Sequence, residues 1–410
     1  MDFWYFIRLL GLTLGVAALH YYLWRRLIHD VSRPKHWWRY LGVSILLVLL
    51  TFFLISRFTT PSTQPLWLQQ VFGWPGQLWF AAFIFILGIL LVLEPVRWWL
   101  GRKFKADYKA ITNAASTVHP EPRYFVNSDL KGVWNRRRFL SRAVGISAGV
   151  VGSGLAGYSV FQGYKAPRSN EITIKLRQLG EKSEGFRIAV VGDLHLSALR
   201  GRAHCQRVVR RVMASRADMI AIVGDLADGS FTDLRSAAAP LADLQARDGV
   251  FFVTGNHEYY YDEPHVWIDY LASMGIETLA NSRVDMGGFE LAGINDIVVD
   301  LRELDEFTGP DFATALEGRD DSKPVVLLAH QPAVTTVAQQ WDVDLVLAGH
   351  THGGQIWPAS YVTHMRNPTV SGLEQHGETQ LYVTSGVGTS GPPIRFAAPA
   401  EYTVVTLRGE

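Results

Sequence analysis

Apolar and aromatic side chains run in long blocks over the first hundred residues, whereas from about Asn170 they come in short runs separated by polar clusters. Three of the long blocks, about Phe3 to Trp24, Tyr40 to Ser56 and Leu78 to Leu93, approach or exceed the roughly 18 to 20 apolar residues a helix needs to cross a bilayer. The second and third are short, and flanking aromatics extend them into the interface. A fourth block, Phe139 to Phe161, is Gly-rich and only moderately apolar, and reads as a weaker span. Farther on, short apolar runs alternate with helical patterns, as in an α/β arrangement with buried strands. "FRIAVVGDLH", "DMIAIVGDLAD", "VFFVTGNHEYYY", "KPVVLLAHQP" and "DLVLAGHTHGG" each predict a strand running into a polar loop. "RAHCQRVVRRVMASRA" and "TDLRSAAAPLADLQARDG" predict helices, the second stopping at Gly249.

Charge orients the membrane blocks. The first loop carries Arg25, Arg26, Arg33, Lys35 and Arg39, and the third span is followed by Arg97, Arg102, Lys103, Lys105 and Lys109. The loop between them, "TTPSTQPLWLQQVFGWPGQ", has no charge. Basic loops stay in the cytoplasm, so the N-terminus and the uncharged loop are expected outside and the chain after Leu93 inside. Arg136-Arg137-Arg138-Phe139-Leu140 ahead of the fourth block resembles the bacterial twin-arginine export signal, although it stands at an internal position. Export signal and fourth membrane helix both put the following chain outside. A segment that does not cross leaves it cytoplasmic. No small-x-small cleavage site follows, so an uncleaved anchor is expected.

Composition adds exclusions. With a formal net charge of +1, nothing in the whole-chain charge points to nucleic acid. The single cysteine, Cys205, rules out an internal disulfide and a cysteine-based zinc site. The spans carry no internal acid before Glu94, which argues against a transporter.

The polar clusters hold Asp193, His195, Asp225, Asn256, His257, His330, His350 and His352, with Gly192, Gly224, Gly255 and Gly349 beside them. Each stands after an apolar strand, where α/β folds bind ligands. In extended chain, residues two apart point the same way, so His350 and His352 are expected to converge on one point, and a cation is the simplest occupant. The series Asp193-x-His195, Gly224-Asp225, Gly255-Asn256-His257-Glu258, His330 and Gly349-His350-Thr351-His352 resembles the calcineurin-like metallophosphoesterases, with all five blocks in order. "GHTHGGQ" and "GVGTSGPPIRF" resemble the membrane-anchored bacterial members.

The resemblance implies two packed mixed β-sheets flanked by helices, a four-layer sandwich, over residues 170–410. Ahead of it stand a membrane region with three transmembrane helices (1–105), a basic cytoplasmic linker (106–135) and the twin-arginine-like segment with a fourth transmembrane helix (136–163). It also implies two divalent metal ions, Mn, Fe or Zn, one on Asp193, His195 and His352, the other on Asn256, His330 and His350, with Asp225 bridging. His257 would face substrate and act on the leaving oxygen. The implied reaction is hydrolysis of a phosphomonoester or phosphodiester by a hydroxide bridging the metals, at the bacterial inner membrane with the domain outside. Membrane attachment leans the substrate toward a lipid-linked or cell-envelope phosphoester. The alternative is a non-catalytic membrane scaffold or sensor with a metal-binding domain, which predicts lost ligands. Asp228 is a residue that would orient a ligand histidine. Tyr259, Tyr260, Tyr261 and Trp267 read as packing more readily than as substrate contacts, and Arg395 as a surface arginine before a phosphate ligand.

Overall fold

The structure, a computed structural model of the chain, describes residues 3–32, 35–59, 65–117, 123–261 and 263–410. It forms two compact units, Met1–Arg57 with Trp74–Tyr158, and Phe58–Gly73 with Ser159–Glu410.

The first unit is helical. It draws on α1 (Phe3–Leu23), a π-helical turn (Trp24–His29), α2 (Trp37–Thr59), α3 (Leu66–Thr117) and α4 (Arg123–Tyr164). Among the described residues, three helical stretches are long and apolar enough to cross a membrane: Trp37–Ser56, Leu66–Asn113 and Arg138–Tyr164. The block expected at 78–93 lies inside α3, which runs on through Pro75 and Pro95. Neighbouring helices can re-satisfy the backbone groups that an internal proline frees, so membrane helices tolerate it. The basic segment 106–135 is helical up to Thr117 and again from Arg123. Residues 118–122, and Arg33 of the first loop, lie outside the described residues. Leu23, Trp79, Phe83, Ile86, Leu90 and Ala148 form the core of this unit. α3 and α4 cross closely at Gly152, where a Cβ would come within 2.8 Å of the Ile86 nitrogen. Small residues serve such crossings in lipid, where dispersion rather than water exclusion drives helices together. Trp79 Nε1–H donates to His20 Nε2 at 3.1 Å, and His20 Nδ1 lies 2.9 Å from the Val16 carbonyl. This buried imidazole is thus satisfied on both nitrogens.

The second unit contains two six-stranded sheets. The first is built from β1 (Arg168–Leu176), β2 (Arg187–Val191), β3 (Met219–Val223), β4 (Val250–Val253), β5 (Glu277–Thr278) and a late strand, β12 (Glu401–Gly409), in the order β1-β12-β2-β3-β4-β5. β12 runs antiparallel to β2, and the other pairs are parallel. The second comprises β6 (Ser282–Asp285), β7 (Glu290–Gly293), β8 (Val325–Leu328), β9 (Leu345–Ala348), β10 (Gly372–His376) and β11 (Thr379–Val383), in the order β10-β11-β9-β8-β7-β6. Its end pairs are antiparallel and its centre parallel.

Strand periodicity explains the layering. Side chains alternate between faces, so Ile188, Val190, Ala221, Val223, Phe251 and Val253 meet Leu291, Val326, Leu328, Leu345 and Leu347 between the sheets. Ala189, Val191, Ile220, Ile222 and Phe252 turn outward under α5 (Arg202–Ala214), α6 (Phe231–Ala238) and a helix from Pro264 to Ala272. Strands buried on both faces read as continuous apolar runs, which is why the five predicted strands coincide with β2, β3, β4, β8 and β9. The helix predicted to run to Gly249 ends at Ala238 and continues as a 3-10 turn, Ala239–Asp243, because Pro240 has no N–H to extend it.

Candidate metal centre

The polar clusters lie at the carboxyl ends of β2, β3, β4, β8 and β9, so rigid parallel strands bring them to one edge. Asp193, His195 and His352 form one group able to hold a metal ion, and Asp225, His330 and His350 form another. A third group, His195, Asp225 and His257, overlaps the first at His195 and the second at Asp225. His195 Nε2 faces His352 Nε2 at 2.9 Å, and His350 Nδ1 faces His330 Nε2 at 3.2 Å. Asn256 Oδ1 and Asp225 Oδ2 each lie 3.1 Å from His330 Nε2. All eight residues singled out from the sequence therefore meet.

The two histidines of "GHTH" do not converge on one point. His350 and His352 have φ of 72° and 53° with Thr351 right-handed between them, so the chain reverses sense at each residue instead of running on as a strand. The turn sends one imidazole to each group.

Asp193, His195 and Asp225 share this left-handed backbone, with φ of 58°, 44° and 56°. Outside glycine such conformations cost on the order of 1–3 kcal/mol each and cluster at functional sites. Hydrogen bonds hold them. The Asp193 carboxylate accepts the His350 N–H at 3.0 Å, and Asp225 Oδ1 accepts the His257 N–H at 2.9 Å. Buried Glu258 gathers the N–H groups of Asp225, Leu226 and Gly255 at 3.1, 2.8 and 2.7 Å. A Cβ on Gly255 would stand 2.4 Å from Asp225 Oδ1, so only glycine lets the backbone pass behind that carboxylate.

Neighbours also set the tautomers. His330 Nδ1 lies 2.7 Å from the Val223 carbonyl, an acceptor only, so it carries a proton and Nε2 is the atom turned to the centre. Burial works against a second proton, but Asp225 outweighs it and holds His330 well above the ordinary imidazole range, so a metal ion would displace the proton from Nε2. His195 Nδ1 lies 2.6 Å from Asp228 Oδ1, which frees its Nε2 in the same way. Burial, reinforced by His330, lowers His350 to about 3. Burial, with His195 and Arg395 adding to it, holds His352 well below the ordinary imidazole range. Both are therefore neutral, the form that binds metal. Burial works against protonation of His257, but Asp225 and Asp228 outweigh it and raise the group to about 9. Two carboxylates, four imidazoles and an amide, with donor atoms facing inward, fit a divalent ion such as Mn, Fe or Zn.

Three supporting residues were less legible. Asp228 Oδ1 lies 2.6 Å from His195 Nδ1 and 2.8 Å from His257 Nδ1, so it orients two histidines rather than one. Glu258 is visible in the sequence only as the end of "GNHE". Arg395 is not a surface residue: at 1 % exposure it donates to the carbonyls of Ser385, Gly386, Gly388 and Ala398 and to that of His352. Among the aromatics, Tyr259 and Trp267 are buried packing, whereas the Tyr260 ring lies 4.9 Å from His257 with Arg302 stacked on it at 4.1 Å.

Residues 186–354 match the calcineurin-like phosphoesterase family. An uncharacterized metallophosphoesterase of Helicobacter pylori (strain J99) is 35% identical over 285 residues, covering 69% of this chain and 73% of that protein. One from Aquifex aeolicus (strain VF5) is 32% identical over 259 residues, covering 62% of this chain and 97% of that protein. The chain belongs to the metallophosphoesterase family. A transmembrane protein with metallophosphoesterase domain from Danio rerio is 38% identical over 264 residues, and there this metallophosphoesterase spans 60% of its relative's length and 62% of its own. The similarity thus reaches bacteria and animals and is compatible with membrane attachment.

Proposed function

We propose that this chain hydrolyses a phosphomonoester or phosphodiester with two divalent metal ions, one on Asp193, His195 and His352 and the other on Asn256, His330 and His350, with Asp225 between them. The observation that carries the reading is the pair of donor groups linked through Asp225, with the inward Nε2 atoms of His330 and His195 fixed by Val223 and Asp228. When bound, two such ions acidify a water and neutralise phosphate charge. The chain's own residues supply the rest. Asp225 offsets the repulsion between the cations. His257, steadied at Nδ1 by Asp228 and about one-fifth exposed, donates a proton to the leaving oxygen. Tyr260 and Arg302 form a rim beside it.

The catalytic domain is assigned to the outer side of the bacterial inner membrane, with α1 a further span beside the three apolar stretches. The chain's division supports this. The described part of the uncharged segment, 65–73, belongs to the unit of the catalytic domain, whereas the basic segments after α1 and within α3 belong to the other. Arg136 and Arg137, placed inside α4, act as a twin-arginine signal for export. An envelope or lipid-linked phosphoester is then the substrate within reach.

The test uses purified full-length protein with Mn and with p-nitrophenyl phosphate and its bis ester. Turnover with about two metals per chain, abolished in Asp225→Asn, is expected. Metal binding without turnover of either ester or of envelope lipids would instead establish the scaffold or sensor reading.

A further inference from the structure

Within the helical unit, a cavity of about 620 Å³ opens where the π-helical turn after α1, the middle of α3 and the middle of α4 come together. That volume lies in the range of small-molecule sites. Its lining is strongly basic: Arg25 and Arg39 come from around the first loop, Arg102 and Lys105 from α3, and Arg138 from α4. The two carboxylates at the cavity are already matched. Asp30 pairs with Arg26 at 3.0 Å and Arg97 at 3.3 Å. Glu94 pairs with Arg26 and with Arg97, and accepts the Tyr22 hydroxyl at 3.1 Å. Among the described residues, Arg25, Arg39, Arg102, Lys105 and Arg138 have no carboxylate partner. Arg39 is steadied by Ser32 Oγ and the His29 carbonyl, and the Arg102 guanidinium stacks on Trp98 at 3.9 Å.

Basic residues after a membrane span are ordinary. Convergence of three separate segments on one cavity, with its acids neutralised internally, is not explained by orientation in the membrane alone. Gathering like charges is unfavourable without an anion to accept them. Trp98, Phe104 and Leu140 add an apolar wall to the same cavity, at the end of apolar helices. We infer that this cavity binds the phosphate headgroup of an anionic membrane lipid, with the cations on the phosphate and the apolar wall against the acyl stem. Basic pockets between membrane helices on the cytoplasmic side serve this chemistry. The site is separate from the metal centre and does not depend on catalysis.

Full-length protein in detergent is equilibrated with equimolar phosphatidylglycerol and phosphatidylcholine, and bound lipid is counted by mass spectrometry. Phosphatidylglycerol is expected to be retained at least about 25-fold over phosphatidylcholine, roughly fivefold for each of two cations. The variant R25Q/R102Q is expected to lose about 25-fold, at roughly fivefold per cation beside an anionic lipid, while R210Q/R211Q on α5 keeps wild-type retention. Equal retention of both lipids, or an unchanged preference in folded R25Q/R102Q, overturns the inference. So does complete displacement by millimolar inorganic phosphate, which would identify a soluble anion as the ligand. Should R25Q/R102Q fail to fold, a salt titration of the unaltered protein decides. Rising salt must release phosphatidylglycerol and leave phosphatidylcholine in place, and a salt-independent preference sinks the proposal.

Discussion

Asp228 shows how much one carboxylate can fix at the residue scale. It touches both a proposed metal ligand, His195, and the proposed proton donor, His257. Asp228→Asn keeps the shape and changes the acceptor. Metal affinity is expected to fall about 10- to 100-fold, measured by competition with a chelator. His257→Asn separates the two roles. It should lower kcat by about 10²–10⁴ while metal content stays at the wild-type level, and loss of metal would make His257 a ligand instead. Arg395 is a different case. Its fork donates to five carbonyls, of which those of His352 and Gly386 also accept main-chain N–H groups. Arg395→Ala therefore takes the donor from the other three, Ser385, Gly388 and Ala398, each costing about 1–3 kcal/mol. A large drop in Tm is expected. Arg395→Lys should not restore it, because one ammonium cannot reproduce the planar donor set. In the sequence Asp228 stood three residues past the Gly-Asp pair and was visible as a candidate. Arg395 was visible only as a surface arginine or a phosphate ligand and not as a buried anchor, since its partners are main-chain carbonyls, and a carbonyl carries no side-chain signature.

Elements matter here through their ends. β2, β3, β4, β8 and β9 were legible because a strand buried on both faces must be apolar along its length. The loops after them were legible as clusters, but not as shapes. The positive φ at His350 and His352 and the close pass of Gly255 behind Asp225 arise where loops of different strands meet. Gly255→Ala is therefore expected to fold and to lose metal, because the new methyl pushes Asp225 off its position. Metal analysis of the purified variant checks this, and a full metal load would show the carboxylate has room to yield. The end of α4 is similarly tied to the loop after His195. The Tyr164 hydroxyl donates to the Leu199 carbonyl at 3.0 Å, and the Arg200 guanidinium lies 5.2 Å from the Tyr164 ring and donates to the Gly163 carbonyl.

For the whole molecule, sidedness is the consequence that matters most. On the proposed topology, alkaline phosphatase fused after Tyr164 and produced in a bacterial host should be active on the outer side of the membrane, and an inactive fusion would place the catalytic domain in the cytoplasm. The sequence by itself determined three of the apolar helical stretches, the α/β texture and the residue types of the centre, because hydrophobic length and period reflect local burial and metal donors are few. Tertiary structure decided which donors share a group, which tautomers they hold, that Arg395 is buried, and that basic residues from three segments surround one cavity. Those outcomes depend on distances between parts of the chain as far apart as Asp193 and His352 or Arg25 and Arg138, and only packing of the folded chain sets such distances.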